Sequence, residues 1–373
     1  MDGIHSDLET LRQVTHRHAG SEGERRMLHE VRERLPAGTA SRIEGFVAFT
    51  SPHVIIGLHA AVLLLAGVAG FQWPLAALVV CALGTASLVA EGTGRFSALR
   101  WILPKEASYN LVVHRPAAET RGAVVVAAPL DAPRWTPNRP QWMSRPLRAV
   151  VWAAMVVTAI LALRALAEPW GRPTQAMYVV SLIVFAVTVL LGALMQRSVS
   201  AQADASGCAA ALDLDRRLLA RPVDGLDLWI VFTGCAHAYQ NGMHAFLAMH
   251  RKRLVDPVLV VVLDDPGSPP FGAVRSEGAL TPIRHRPTGP ALIERLRWSG
   301  LAIPEVDRPE ATDAHAATEW GYRALALSGA DGTSDEETCS AAVDVVEAAI
   351  RMYGDDVARV PALSLRTPAE EAS

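Results

Sequence analysis

VFTGCAHAYQNGMHAF, Val231–Phe246, joins two segments of opposite periodicity across a short polar turn. Before the turn, LWIVFTG (Leu228–Gly234) is uncharged and rich in β-branched and aromatic residues, which predicts a buried strand. After it, GMHAFLAMH (Gly242–His250) spaces its apolar residues as a helix does. The pattern recurs outward along the chain. GAVVVAAPLD (Gly122–Asp131) and DPVLVVVLDD (Asp256–Asp265) are further buried strands. LETLRQVTHRH, GERRMLHEVRERL, ASGCAAALDLDRRLLAR and CSAAVDVVEAAIRMY have helical periodicity with apolar residues on one face. Alternating strands and helices predict an α/β domain with a largely parallel sheet covered on both faces. Such sheets place ligands at the carboxyl ends of their strands.

The chain has 373 residues, enough for a large core and about two domains by length. Half of its residues are hydrophobic and its mean hydropathy is positive, high for a soluble chain. A net charge of -3 points to no nucleic acid partner. The four cysteines show no paired spacing and read as isolated buried thiols of a reducing compartment. The N-terminus lacks the apolar core of a signal peptide.

Gly45–Ala90 contains no Asp, Glu, Lys or Arg over 46 residues, long enough for two membrane spans of about 20 residues each. GFQWP (Gly70–Pro74) is the turn between them, with Trp73 placed as an interfacial anchor. Pro146–Ala167, and Pro173–Gln196 with 24 uncharged residues, form a second pair joined by EPWGRP. Two hairpins return every polar segment to one side. Arg42, Arg95, Arg100, Lys105, Arg145, Arg148 and Arg197 flank the spans there, against Arg164 and Arg172 opposite. That bias puts the polar domain and both termini in the cytoplasm. Spans almost free of polar residues argue against a transporter.

In chain order the polar pieces resemble the zinc-dependent aminopeptidase superfamily. It includes bacterial leucyl aminopeptidases, glutaminyl cyclases and the noncatalytic peptidase-like domains of the transferrin receptor and nicastrin. HRHAGSEGERRMLHEVRERL resembles the opening "R-x-x-G-S" and first helix of that group. SYNLVVHRP, VVVAAPLDAP, QADASGCAAALDLDRRL, VVVLDDPG and TDAHAATEWGYRALALSG resemble its later segments. The resemblance implies a three-layer αβα sandwich with a mostly parallel mixed sheet, interrupted here by the two transmembrane hairpins. It also implies a site for two zinc ions, whose ligands and general base this chain largely lacks. The first His ligand falls on Pro129, the bridging Asp on Ala203 with Asp204 beside it, the general base on Ala236 and the ligand Glu on His237. Asp264 matches the third acidic ligand. The late His should lie near Gly332, where there is none. Asp131, which orients the metal site in the family, is retained. A methyl group takes no proton from water, so no catalytic residue is expected at 236.

Asp131, Asp204, His237 and Asp264 are the best metal candidates left, with His315 nearby. A lone His with carboxylates at strand ends is usually a hydrogen-bonded or capping arrangement, so no metal site is expected. Ser206 is not in a G-x-S-x-G elbow, and Cys235 beside His237 reads as core. RHRP (Arg284–Pro287) reads as a solvated loop. MHRKRL (Met249–Leu254) is a basic helix end suited to the helix dipole, or to lipid headgroups if it faces the membrane. The expected organisation is peptidase-like sequence at 1–52, 93–145 and 197–356, hairpins at 53–92 and 146–196, and a loose tail at 357–373. The expected protein is a membrane-anchored, inactive peptidase-like scaffold, binding or accessory subunit in a bacterial inner membrane, with lipid and other membrane proteins as partners. Gly57, Ala61, Gly67 and Gly70 suit close helix contact. The alternative is a membrane-bound metal-dependent aminopeptidase or hydrolase with a rebuilt site. No cofactor is expected in the first case, and zinc in the second.

Overall fold

The computed structural model describes residues 2–92, 102–132, 146–167, 179–180, 182–187, 189–190, 205–278, 283–284, 288–301, 303–308, 310–329 and 334–359. Its strands are β1 Ser41–Ala48, β2 Glu106–Arg115, β3 Gly122–Pro129, β4 Leu226–Thr233, β5 Val258–Asp264, β6 Gly272–Glu277, β7 Ile283–Arg284, β8 Glu305–Arg308 and β9 Arg323–Ser328. They form one mixed sheet in the order β1-β2-β4-β3-β5-β9-β6-β7, with β8 paired to β6. The centre, β4-β3-β5-β9, is parallel; β1-β2-β4 and β9-β6-β7 pair antiparallel, and β8 runs parallel to β6.

The helices are α1 Asp2–Leu11, α2 Glu22–Glu33, α3 Pro52–Ala69, α4 Pro74–Gly92, α5 Pro146–Ala167, α6 Ser206–Ala220, α7 Asn241–His250, α8 Thr288–Trp298, α9 Asp313–Glu319 and α10 Glu336–Arg359. Strand alternation sorts the core into two layers. Val124, Val126, Ile230, Phe232, Leu259 and Val261 face α1, α2, α6, α8 and α10. Val125, Trp229, Val231, Val260 and Val262 face α7 and α9. The result is the three-layer α/β sandwich expected. Two helix boundaries differ from the sequence reading. α1 covers 2–11 rather than 8–18, because Ile4, Leu8 and Leu11 are the residues it buries. α10 runs through Arg359, into the stretch read as tail.

Both apolar interruptions join the sheet at the carboxyl ends of its parallel strands. α3 follows β1 and α4 precedes β2 at the pair Ala48–Glu106, while α5 lies between β3 and α6. Asn241 Nδ2 donates to Phe49 O at 3.2 Å, tying the start of α7 to the chain entering α3. α3, α4, α5 and the helical residues 182–187 share a separate core that includes Leu63, Cys81, Leu88, Val157, Leu161 and Phe185. The outer faces of these helices are apolar too: Leu65, Leu75, Leu83 and Trp152 are 66–70% exposed.

Among the described residues one helix is long and apolar enough to cross a membrane, Pro74–Glu91. Val54–Ala69 and Val150–Ala162 are apolar but shorter. Most of the fourth expected span, 173–196, lies outside the described residues. The bundle interior is more polar than the sequence suggests. His59 Nε2 sits 2.9 Å from Ser87 Oγ, Thr85 Oγ1 sits 3.1 Å from Thr158 Oγ1, and Glu91 is buried. Among the described residues nothing lies within 4 Å of a Cβ built at Gly57. Gly84, against Leu63, makes a close approach instead.

Candidate functional site

The turn from Gly234 to Asn241 holds its shape through strain and close approach. Cys235, Tyr239 and Gln240 have φ of 50°, 62° and 49°, left-handed values that cost a non-glycine residue about 1 kcal/mol or more each. Such strain persists only where the surroundings over-determine it. Asn110 provides part of that constraint. Its Nδ2 donates to Gly242 O at 2.8 Å and its Oδ1 accepts from Gly234 N at 3.0 Å. Any Cβ at Gly242 would overlap the Gly234 carbonyl and come within 2.6 Å of Asn110 Oδ1. Glu24 of α2 braces the same turn: it accepts from Cys235 N, from Ser108 Oγ at 3.2 Å and from Gly20 N at 2.7 Å. Burial, then the nearby Asp131 charge, raise the Glu24 pKa to about 7.

At this end of the sheet three of the four metal candidates converge. Asp131, just beyond β3, accepts from Ala236 N at 2.9 Å and His237 N at 3.0 Å. The His237 imidazole lies between two carboxylates, with Nδ1 3.3 Å from Asp131 Oδ1 and Nε2 3.6 Å from Asp264 Oδ1. Burial alone would lower the His237 pKa, but Asp131 and then Asp264 outweigh it, and it stands well above the usual imidazole value. The two carboxylates thus favour the protonated imidazole. Asp264 also takes a 2.6 Å ion pair from Arg308 Nη1. Burial would raise its pKa, and Arg308 and then His237 hold it below the usual carboxylate value. Arg308 in turn donates to Ser328 Oγ. The end of the sheet is thus an alternating row of charges: Asp131, His237, Asp264, Arg308.

The remaining expected positions fall as follows. Pro129 ends β3 opposite Thr233 and offers only its carbonyl, which accepts from Cys208 Sγ at 3.2 Å. Ala236 presents a methyl group beside His237. Ala203, Asp204 and Gly332 lie outside the described residues. His315 sits on α9, 3.5 Å from Glu319, and is not part of the row. Cys235 is buried core, as read. The basic end at Arg251–Arg253 follows α7 at the amino ends of the strands, where Arg253 lies 5.2 Å over the Trp229 ring. It is therefore remote from the bundle.

Sequence reading missed three contributors. Arg308 arrives on the short strand β8, Glu24 from a helix face that reads as solvated, and Asp313 from the start of α9. Asp313 Oδ2 accepts from Thr233 Oγ1 at 2.5 Å, and burial pushes its carboxyl up to about 7. Only Glu24 carried a local signal, its place three residues after the N-cap Ser21.

These residues do not fit a two-zinc centre. Asp131, His237 and Asp264 lie together, but among the described residues no group of three His, Cys, Asp or Glu side chains is arranged to hold a metal ion. The two surviving acids already face protein cations, and His237 uses both ring nitrogens on carboxylates.

No family model matches the chain, and no curated protein matches its sequence. Solved structures do. A glutaminyl cyclase from an Acidobacteriales bacterium is 12% identical, over 95% of each chain, with TM-score 0.53. An aminopeptidase from Aneurinibacillus sp. strain AM-1 is 13% identical over 94% of this chain and 92% of that one, with TM-score 0.51. A zinc aminopeptidase from Bacillus subtilis is 9% identical over 94% of each chain, with TM-score 0.51. The chain therefore has the fold shared by zinc aminopeptidases and glutaminyl cyclases, the superfamily its motifs resemble.

Proposed function

We propose that this chain is a membrane-anchored peptidase-like protein without catalytic activity, serving as a scaffold, binding or accessory subunit of a membrane assembly. The observation that carries the reading is the charge row at the strand ends. Where related enzymes keep a proton acceptor and metal ligands, this chain has Ala236 and Pro129, and its remaining acids are paired with His237 and Arg308. A fold outlasts its site, so the architecture does not carry the activity with it.

The anchoring half of the proposal is supported by helices that are apolar all round yet exposed. In water such a helix belongs in a core, and patches this large are not left bare on soluble monomers. Lipid resolves the conflict, with two hairpins of two spans and the polar domain on the cytoplasmic side of a bacterial inner membrane. Hydrogen bonds between His59 and Ser87 and between Thr85 and Thr158 then satisfy polar groups inside the bundle. Gly57 and Ala61, one turn apart on the outward face, offer a partner helix close approach.

The test is metal analysis and activity on detergent-purified protein loaded with zinc. We expect no stoichiometric zinc and no release of an amino acid from peptides or cyclisation of glutaminyl peptides. Stoichiometric zinc with hydrolysis abolished by His237→Ala or Asp264→Ala would replace this reading with the rebuilt-site hydrolase.

A further inference from the structure

The amino ends of β3 and β4 carry a second feature, remote from the charge row. A cavity of about 860 Å³ opens there into the larger core. Val124, Leu226 and Leu228 line its floor, beyond the end of α6 at Ala220. Leu218 and Ile350 supply the apolar side walls, and the β2–β3 connection closes the rim with Arg115 and Arg121. This size and composition, an apolar floor with few polar groups at one edge, are those of a small-molecule site rather than a packing defect.

The two arginines differ in availability. Arg115 is held by Asp215 through two bonds of 2.7 and 2.8 Å and reaches Thr39 Oγ1 at 3.1 Å. It is a fixed wall. Among the described residues the ion pair at Arg121 is with Glu119 at 3.7 Å, beyond hydrogen-bond distance and with both side chains well exposed; Asp224 also lines the cavity. Exposed pairs of this kind contribute little, so an anion reaching Arg121 from the cavity displaces a weak partner and gains a bidentate one.

We propose that this cavity binds a small amphipathic anion, its apolar body against Val124, Leu226, Leu228 and Ile350 and its carboxylate or similar group on Arg121. The inference is independent of the fate of the charge row and of membrane anchoring.

The probe is 2-naphthylacetate, with its uncharged analogue 2-naphthylacetamide, titrated calorimetrically into the detergent-purified full chain. We expect saturable 1:1 binding of the anion at least tenfold tighter than the amide. Arg121→Ala should abolish that preference, and Glu119→Gln should tighten binding of the anion. Ala118→Trp, an exposed change at the cavity mouth, should block both ligands without altering the unfolding midpoint. Equal affinity for anion and amide, no saturable binding of either, or binding untouched by Ala118→Trp would overturn the proposal.

Discussion

Arg308→Met should be costly out of proportion to its exposure. Asp264 is 7% exposed, and its Oδ2 lies 2.6 Å from Arg308 Nη1. Removing one partner of a buried pair costs about 3–5 kcal/mol, because the other charge is left without compensation. Two features pull this case to the low end: the Arg308 side chain is 24% exposed, and His237 remains 3.6 Å from Asp264. We expect about 3 kcal/mol for Arg308→Met, and less for Asp264→Asn, since Arg308 then turns to water. The double change removes both charges and should cost roughly 2 kcal/mol less than the sum of the singles. At about 1–3 kcal/mol per molar urea, the Arg308→Met midpoint falls by roughly 1 M or more. Far-UV circular dichroism in mild detergent follows the transition. The sign with pH is fixed too. Asp264 has a depressed pKa, so its stabilising contribution is present at neutral pH and lost as pH falls through the folded-state value. The gap between parent and Arg308→Met should therefore narrow on acidification. Additive single changes, or a cost of Arg308→Met below about 0.5 kcal/mol, would refute the charge row as a structural device.

Glu277, 1% exposed and accepting from Thr312 N at 2.8 Å, has its carboxyl pushed up to about 7, chiefly by burial. The folded state keeps this proton longer than the unfolded chain, so stability falls as pH rises from about 4 to 7. Glu277→Gln keeps the acceptor and should be more stable than the parent above pH 7, by on the order of 3 kcal/mol, with no gain below pH 4. A gain independent of pH in urea titrations would contradict this. On the outer face of α4, Leu83→Arg tests the anchoring. A cation at mid-span costs about 2.5–3.5 kcal/mol of insertion, so the carbonate-resistant membrane fraction should drop from the parent level. A parent chain found in the soluble fraction would end the membrane reading.

The central strands were legible because they are covered on both faces. β3, β4 and β5 carry near-continuous runs of Val, Leu, Ile and Ala, and no other element writes that pattern. β1 was not legible. It is an edge strand, SRIEGFVA, in which Glu44 is buried only because His250 lies 2.9 Å away, 206 positions along the chain. β6 to β9 are short strands, and β8, EVDR, has no apolar run at all. The same rule governs the site. Asp131, His237 and Asp264 could be placed together because each follows a recognisable strand. Arg308, Glu24 and Asp313 enter from elements whose burial depends on tertiary partners that local sequence does not encode.

His237 has an electrostatic place between two acids. Asp131 and Asp264 are nearly buried, and two such carboxylates at neighbouring strand ends need positive charge between them or must hold protons. In a metal centre the ions supply that charge. Here His237 stands 3.3 and 3.6 Å from the two acids, and Arg308 completes the count beyond Asp264. The backbone N–H groups of Ala236 and His237 bind Asp131, which helps hold the turn with its strained left-handed residues. On the proposed reading, alanine at 236 offers no proton acceptor and histidine at 237 supplies positive charge between the two acids, an arrangement in which the strand ends need no metal to stay ordered.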